Sequence, residues 1–374
     1  MFWPRTQLPA STSNMYFIVM KIAITADIHV GVPGRLQDIM WAMHQIRKYN
    51  HDHDIKNWFI LGDLMHDREQ IRVDDLNALS SFLIETDEKY HQNIFAFPGN
   101  HDMYLKNSWD INSIKPLDRY LKAYHSVSKF TMGGVRFWVV PFIHYESKYT
   151  EVMDVINKKH RDGDVLLTHI GVKSSTLNMC FLLKSWSIID FTESPFDRVY
   201  AGHFHIHQKV GNNVWYPGSP LPFKFDEGDT DHGFLVFDTE SRKHEFIDLW
   251  DGADDAPPKF LTVNDTDISE LDADDINGNI IRIALSKDWT HNQLSDMRVA
   301  YHKMGAVAVK WLNLRSKEEK ESVAIAQEAA ASASELFGRF VEADGKGTKD
   351  LDMELLLHLN SDITTDGDRR YAEC

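Results

Sequence analysis

Lys21-Ile22-Ala23-Ile24-Thr25-Ala26 runs without interruption into Asp27-Ile28-His29. A short apolar, β-branched run of this kind reads as a buried strand, and the Asp-x-His after it falls where strand gives way to loop. Alternate strand residues point to the same side, so Asp27 and His29 can present both side chains to one place. The arrangement recurs four times downstream. Asn57-Trp58-Phe59-Ile60-Leu61 leads into Gly62-Asp63-Leu64-Met65-His66-Asp67, and Asn93-Ile94-Phe95-Ala96-Phe97 into Gly99-Asn100-His101-Asp102. Asp164-Val165-Leu166-Leu167 leads into Thr168-His169, and Arg198-Val199-Tyr200-Ala201 into Gly202-His203-Phe204-His205. One such match is weak, whereas five in the same register bring donors from distant segments to neighbouring strand ends.

The residue types at those ends are the donors a pair of divalent cations requires: a shared carboxylate, with imidazole, carboxylate and amide oxygen around it. Asp63 is expected to bridge, Asp27, His29 and His205 to hold one ion, and Asn100, His169 and His203 the other. Glycines 62, 99 and 202 fit tight turns that bring backbone close to the ions. A site of nitrogen and oxygen donors without thiolate suits two manganese ions, with magnesium, iron or zinc as alternatives. Such a pair lowers the pKa of bound water towards ~7 and so supplies a hydroxide for attack on phosphorus. His101 is then expected to protonate the leaving alkoxide and His66 to position the substrate phosphate. Asp67 and Asp102 are expected to orient histidines from behind. A purely structural role for the set would bury several polar or ionisable groups with nothing to neutralise them, at several kcal/mol each.

Around the motifs, residues 36–49 and 73–91 carry apolar residues at helical spacing, and Gly133-Gly134 between two β-rich runs marks a hairpin. Paired strands follow at 206–216, 233–239 and 243–249. The pattern predicts an α/β fold, a two-sheet sandwich flanked by helices, over residues 20–250. Asp251 to Pro258 reads as a linker. Residues 259–315 spell a strand–helix–strand unit, a small α+β domain, and 316–374 a helical tail with an irregular end. Residues 1–19 read as an extension ahead of the first strand, with Met15 and Met20 as further possible starts.

The bulk composition narrows the class. With 374 residues, 43% of them apolar and 26% charged, the chain is an ordinary globular protein long enough for more than one domain. Cys180 and Cys374 are the only cysteines, which excludes a disulfide framework or thiolate zinc site and points to a reducing, cytoplasmic compartment. No apolar stretch approaches the roughly 20 residues needed to span a bilayer. The net charge of −16 argues against a generally basic nucleic-acid binder. That charge is uneven, however: residues 251–374 hold 25 acids against 14 bases, so the excess lies away from the motifs. With screening over ~8 Å it need not repel DNA from a distant site.

The five motifs resemble those of the calcineurin-like metallophosphoesterases. The segment after the fifth motif, Tyr216-Pro217-Gly218-Ser219-Pro220-Leu221-Pro222, then Phe225-Asp226-Glu227 and Gly233-Phe234, is similar to that of the SbcD/Mre-type DNA repair nuclease subunits. The Gly62–Asp67 form of the second motif points the same way, and the overall length and tail are similar to the small subunits of T-even-type phage recombination endonucleases. That resemblance implies a manganese-dependent DNA endo/exonuclease, host-cytoplasmic if phage-encoded. It further implies that 259–315 is a capping domain, that the tail helices dock on an SbcC/Rad-type, SMC-like ATPase, and that a homodimer within a heterotetramer is built on helices around 73–91 and 108–122. Arg68, Arg72, Lys106, Lys173 and Lys184 are candidate DNA contacts. A metal-dependent phosphatase or cyclic phosphodiesterase acting on small molecules or phosphoproteins is the rival, and a scaffold with a relict site is disfavoured because no ligand is missing.

Overall fold

In the computed structural model, residues 19–175, 188–191, 194–228, 230–253, 255–266, 271, 273–287 and 289–313 are described. The chain divides into two compact units between Phe260 and Leu261. The first unit begins β1 (Lys21–Thr25), α1 (Leu36–Asp52), β2 (Asn57–Ile60), α2 (Val73–Glu88), β3 (Asn93–Ala96) and β4 (Lys122–Ala123). It continues through the hairpin β5 (Ser128–Met132) and β6 (Val135–Val140), turned by Gly133-Gly134 at φ 57° and 76°, as expected. Then come α3 (Glu146–Asn157), β7 (Val165–His169), β8 (Gly171–Val172), β9 (Ile188–Ile189) and β10 (Arg198–Gly202). The antiparallel pairs β11 (Gln208–Val210) with β12 (Val214–Tyr216), and β13 (Gly233–Asp238) with β14 (His244–Asp248), complete it.

Two six-stranded sheets result, ordered β14-β13-β1-β2-β3-β4 and β11-β12-β10-β7-β6-β5. Strand alternation distributes the side chains. Ile22 and Ile24 of β1 meet Phe59, Phe137, Leu167 and Tyr200 in the core between the sheets. Ala23, Trp58 and Ile60 face outward, against α1 and α2. On the far side Trp138, Leu166 and Val199 pack on Tyr149, Met153 and Ile156 of α3. The sandwich therefore has four layers, helix, sheet, sheet, helix. Each fully buried large apolar side chain contributes about 1.5–3 kcal/mol to holding them together.

The topology positions the site. β1, β2, β3 and β4 are mutually parallel, and so are β6, β7, β10 and β12. The loops after β1, β2 and β3 and the ends of β7 and β10 carry the five motifs, so every motif leaves its sheet at the carboxyl end of a parallel strand. Ligand sites of α/β sheets form at such ends.

One expected element is absent. Residues 108–122 are not a helix: only Lys115–Leu117 makes a 3-10 turn. Asn112 Oδ1 accepts the amides of Ile114 and Lys115 at 3.1 Å each, and Pro116 has no N–H to give, so local side-chain bonds displace helix there. The dimer surface expected of that segment has no helical basis.

The second unit holds β15 (Phe260–Asn264), which begins at the division, then α4 (Ala273–Ile276), β16 (Ile280–Leu285), α5 (His291–Lys303) and β17 (Ala308–Asn313). β16 and β17 are parallel with α5 between them, and Thr290 with Gln293 forms a capping box at the start of α5. Ile281, Ile283, Tyr301 and Val309 form its small core. The expected tail, the extension before Val19, Cys180 and Lys184 lie outside the described residues. Among the described residues no helix is long and apolar enough to cross a membrane.

Candidate metal centre

The loops after β1 and β2 are joined backbone to backbone: Asp27 N–H donates to Gly62 O at 3.2 Å, His29 to Asp63 O at 3.0 Å, and Val30 to Leu64 O at 2.9 Å. This join holds an unusual backbone. Asp27, His29 and Asp63 adopt φ of 54°, 54° and 52°, and His203 adopts 111°, a left-handed region that non-glycine residues rarely enter. Gly99 is needed for closeness, since a Cβ there would fall on the Asp63 carboxylate and amide.

The side chains converge in two linked sets. Nε2 of His29 and Nε2 of His205 face each other at 3.1 Å, and one donor atom each from Asp27, His29 and His205 lies within 4.8 Å of the others. In the second set Asn100 Oδ1 is 3.0 Å from His169 Nε2 and 2.9 Å from His203 Nδ1. Oδ2 of Asp63 stands between the sets, 3.9 Å from His29 Nε2 and 3.4 Å from His169 Nε2. Asp27 also lies close to Asp63 and His169, one donor atom of each within 4.8 Å of the others, so the two sets adjoin. Ring nitrogens and carboxylates facing one another while buried is an arrangement that a cation satisfies and an apolar core would not. The residues fit a pair of divalent ions.

Partners behind the rings orient their lone pairs. His169 Nδ1 donates to the Leu61 carbonyl at 2.7 Å, which leaves Nε2 for the site. His205 Nδ1 is 2.9 Å from Glu227 Oε1, which turns its Nε2 towards His29. Burial pushes His29 and His203 well below the ordinary imidazole range. His169 is also buried, yet Asp63 and Asp27 overcome that and raise it to about 9. Burial would raise Asp63, but His169, His101 and His29 hold it well below the usual carboxylate value. Asp27 moves the other way, raised by burial against the pull of His169 and His205. A cation held at His169 would take the place of the proton that these carboxylates favour.

His66 and His101 flank this centre. Their imidazole nitrogens group with His29 within 4.8 Å, and their rings stack at 5.5 Å. His101 Nδ1 donates to the His66 carbonyl at 2.6 Å, which leaves its Nε2 as the working nitrogen.

The two acids expected to orient histidines do something else. Asp102 is fully buried and accepts backbone N–H groups from Leu64, Met65 and Gly99, at 3.3, 3.0 and 2.9 Å, and the Ser113 hydroxyl at 2.9 Å. It ties the second motif to the third, and burial with Asp63 nearby lifts its pKa to about 6. Asp67 accepts the amides of Glu69 and Gln70 in its own exposed turn. Arg72 pairs with Asp74 at 2.6 Å and Lys173 with Asp190 at 3.3 Å, both exposed, so neither charge is directed at the centre.

Glu227 and Phe223 complete the centre without having been expected there. Glu227 also accepts the Phe223 amide at 2.7 Å, and His205 holds its pKa down to about 2 despite burial. The Phe223 ring stands edge-on to His29 and His205, at 5.5 and 5.7 Å, and covers them. A signal for Glu227 did exist in the Phe225-Asp226-Glu227 segment, although its register towards His205 could not be read.

Residues 20–207, half of the chain, match the family described as calcineurin-like phosphoesterase. Exonuclease subunit 1 of Enterobacteria phage T4 is 25% identical over 245 residues, covering 61% of this chain and 67% of that protein. Protein 244L of Invertebrate iridescent virus 6 is 25% identical over 227 residues, 58% of this chain and 75% of that one. Among solved structures, GAP50, the anchor in the inner membrane complex of Plasmodium, matches with 11% identity and a TM-score of 0.40 over 62% of this chain and 89% of that chain. With its motifs gathered at the strand ends and half of its length matched, the chain belongs to the calcineurin-like phosphoesterase family.

Proposed function

We propose that the chain is a manganese-dependent DNA endo- and exonuclease, the nuclease subunit of an SbcD/Mre-type recombination and repair complex. The observation that carries this is Glu227 on His205. It comes from the segment beyond residue 207 whose sequence is similar to that nuclease group, and it is built into the centre. The likeness to a phage protein named as an exonuclease subunit supports both the substrate class and the presence of another subunit.

In this proposal Asp27, His29 and His205 hold one cation, Asn100, His169 and His203 the other, and Asp63 both. A manganese pair, or magnesium, iron or zinc in its place, supplies Lewis acidity at the phosphoryl oxygens and a nucleophile at neutral pH. His101, its Nδ1 fixed on the His66 carbonyl, presents Nε2 to give a proton to the leaving alkoxide. His66 positions the substrate phosphate beside it. Phe223 over His29 and His205 limits water and keeps those rings in place.

The domain reading is part of the proposal: a nuclease domain at 20–250, a linker at 251–258, a capping domain at 259–315 and a segment at 316–374 that docks on an SMC-like ATPase. A homodimer within a heterotetramer would use α2, which presents Val73 and Leu76 to solvent.

Purified protein with Mn²⁺ or Mg²⁺ and labelled linear duplex or single-stranded DNA tests the activity. Digestion that is lost in His101→Ala, with the circular dichroism spectrum unchanged, is the expected result. Turnover of phosphomonoesters or cyclic nucleotides with DNA left intact would replace the proposal by the phosphatase or cyclic phosphodiesterase.

A further inference from the structure

A file of rings leads from the candidate centre to solvent. His203 stacks on Phe142, with centroids 6.0 Å apart and 24° between planes, Phe142 meets His144 at 6.4 Å, and His144 meets Tyr145 at 4.9 Å. Burial falls along the file: His203 and Phe142 are buried, His144 is half-buried, and the Tyr145 side chain is 53% exposed. The topology explains its place. Residues 141–145 follow β6, which is parallel to β7 with Val140 opposite Thr168, so they emerge at the same edge as His169.

This loop is locked to the one after the third motif. Phe142 N–H donates to Pro98 O at 3.0 Å, and Trp109 Nε1 donates to Phe142 O at 2.8 Å. Met103 bridges to Asn112, and Tyr104 N–H donates to Ile111 O at 3.1 Å, so residues 103–112 form a short antiparallel finger. Lys106 lies in its exposed tip. Arg68 comes from a third loop, after the second motif, where Asp67 turns its carboxylate onto its own backbone. Both cations act on His144, whose pKa is lowered first by burial and then by Lys106 and Arg68.

We propose that Tyr145, with Lys106 and Arg68, binds the nucleotide next to the cleaved phosphodiester in a single-stranded polynucleotide, the base stacking on the tyrosine and the flanking phosphate meeting the two cations. An exposed ring in a positively charged surround is the combination by which single strands are held without regard to sequence, and Lys106 and Arg68 both act on His144, the neighbour of Tyr145. A base stacked between strands of a duplex could not reach the ring, so the subsite makes the enzyme act on frayed or unpaired ends. The inference rests on the nuclease proposal above.

The test compares kcat/KM on a labelled single-stranded oligodeoxynucleotide with that on bis(p-nitrophenyl) phosphate, in the presence of Mn²⁺. Tyr145→Ala should lower the ratio of the two values about tenfold, the scale of one lost base-stacking contact, through a higher KM for the oligonucleotide. Tyr145→Phe should restore it, and Lys106→Gln with Arg68→Gln should lower it and flatten its dependence on salt. A ratio unchanged in Tyr145→Ala while the wild type cuts the oligonucleotide would overturn the subsite and leave the nuclease intact. Wild-type protein that hydrolyses only the chromogenic diester would overturn both.

Discussion

Glu227 stands behind His205, its Oε1 2.9 Å from Nδ1, while Nε2 of His205 faces Nε2 of His29 at 3.1 Å. A carboxylate in this position fixes which nitrogen carries the proton and makes the other a better donor. Glu227→Gln keeps the size and removes the charge. Its affinity for Mn²⁺ should fall about ten- to a hundredfold, measured by isothermal titration calorimetry. Equal affinity in variant and wild type would mean that Glu227 serves only the Phe223 turn.

Asp102 ties motifs together rather than orienting a ring. Asp102→Ala leaves the buried amides of Leu64, Met65 and Gly99 without their acceptor. At about 1–3 kcal/mol for each unsatisfied group, with partial relaxation, the loss should be about 3 kcal/mol or more. Urea unfolding measures it directly. A loss under about 1 kcal/mol would show that water or a rearranged loop replaces the carboxylate.

Gly99 gives a separate handle on the metal. In Gly99→Ala the new methyl group displaces the Asp63 carboxylate, the group between the two donor sets. Elemental analysis after Mn²⁺ loading should find metal content sharply reduced, and Mn²⁺ should no longer raise Tm. Binding at 100 times Kd stabilises a wild-type site by about 2.7 kcal/mol, which a melting curve resolves. Normal loading of the variant would rule out a bridging Asp63.

His244 carries a pH dependence independent of the centre. Burial, then Arg198, His207 and Lys209, lower its pKa to about 4 from the usual 6.5. Between those values the unfolded chain binds more protons than the folded one. Stability is therefore complete above pH 6.5 and declines as pH falls towards 4. His244→Gln removes this part of the slope, so as pH falls from 6.5 towards 4 the wild type should lose stability relative to the variant. Parallel plots would contradict the shift.

The five strand-ending motifs, the helices near 36–49 and 73–91, and the strand–helix–strand of the second unit were legible because each rests on local periodicity or on residues adjacent in the chain. A buried run followed by a donor states its own burial. The helix around 108–122 that the resemblance implied is replaced by a turn, because Asn112 bonds the amides of Ile114 and Lys115 and Pro116 lacks an N–H. Asp67 and Asp102 show the limit more sharply. Both follow a histidine in sequence, yet one closes its own turn and the other holds three amides in two loops.

The chemical inventory and the order in which it is delivered were thus set by the sequence alone, since donor type and its place after each apolar run need no knowledge of distant segments. Which nitrogen faces which, the Asp63 oxygen between His29 and His169, the Glu227 support and the ring file to Tyr145 were decided only by the tertiary structure. These are relations between loops that are remote along the chain, and they arise when two sheets pack with their parallel strands ending at one edge. Packing also stabilises the left-handed φ of Asp27, His29, Asp63 and His203, which local preference alone disfavours.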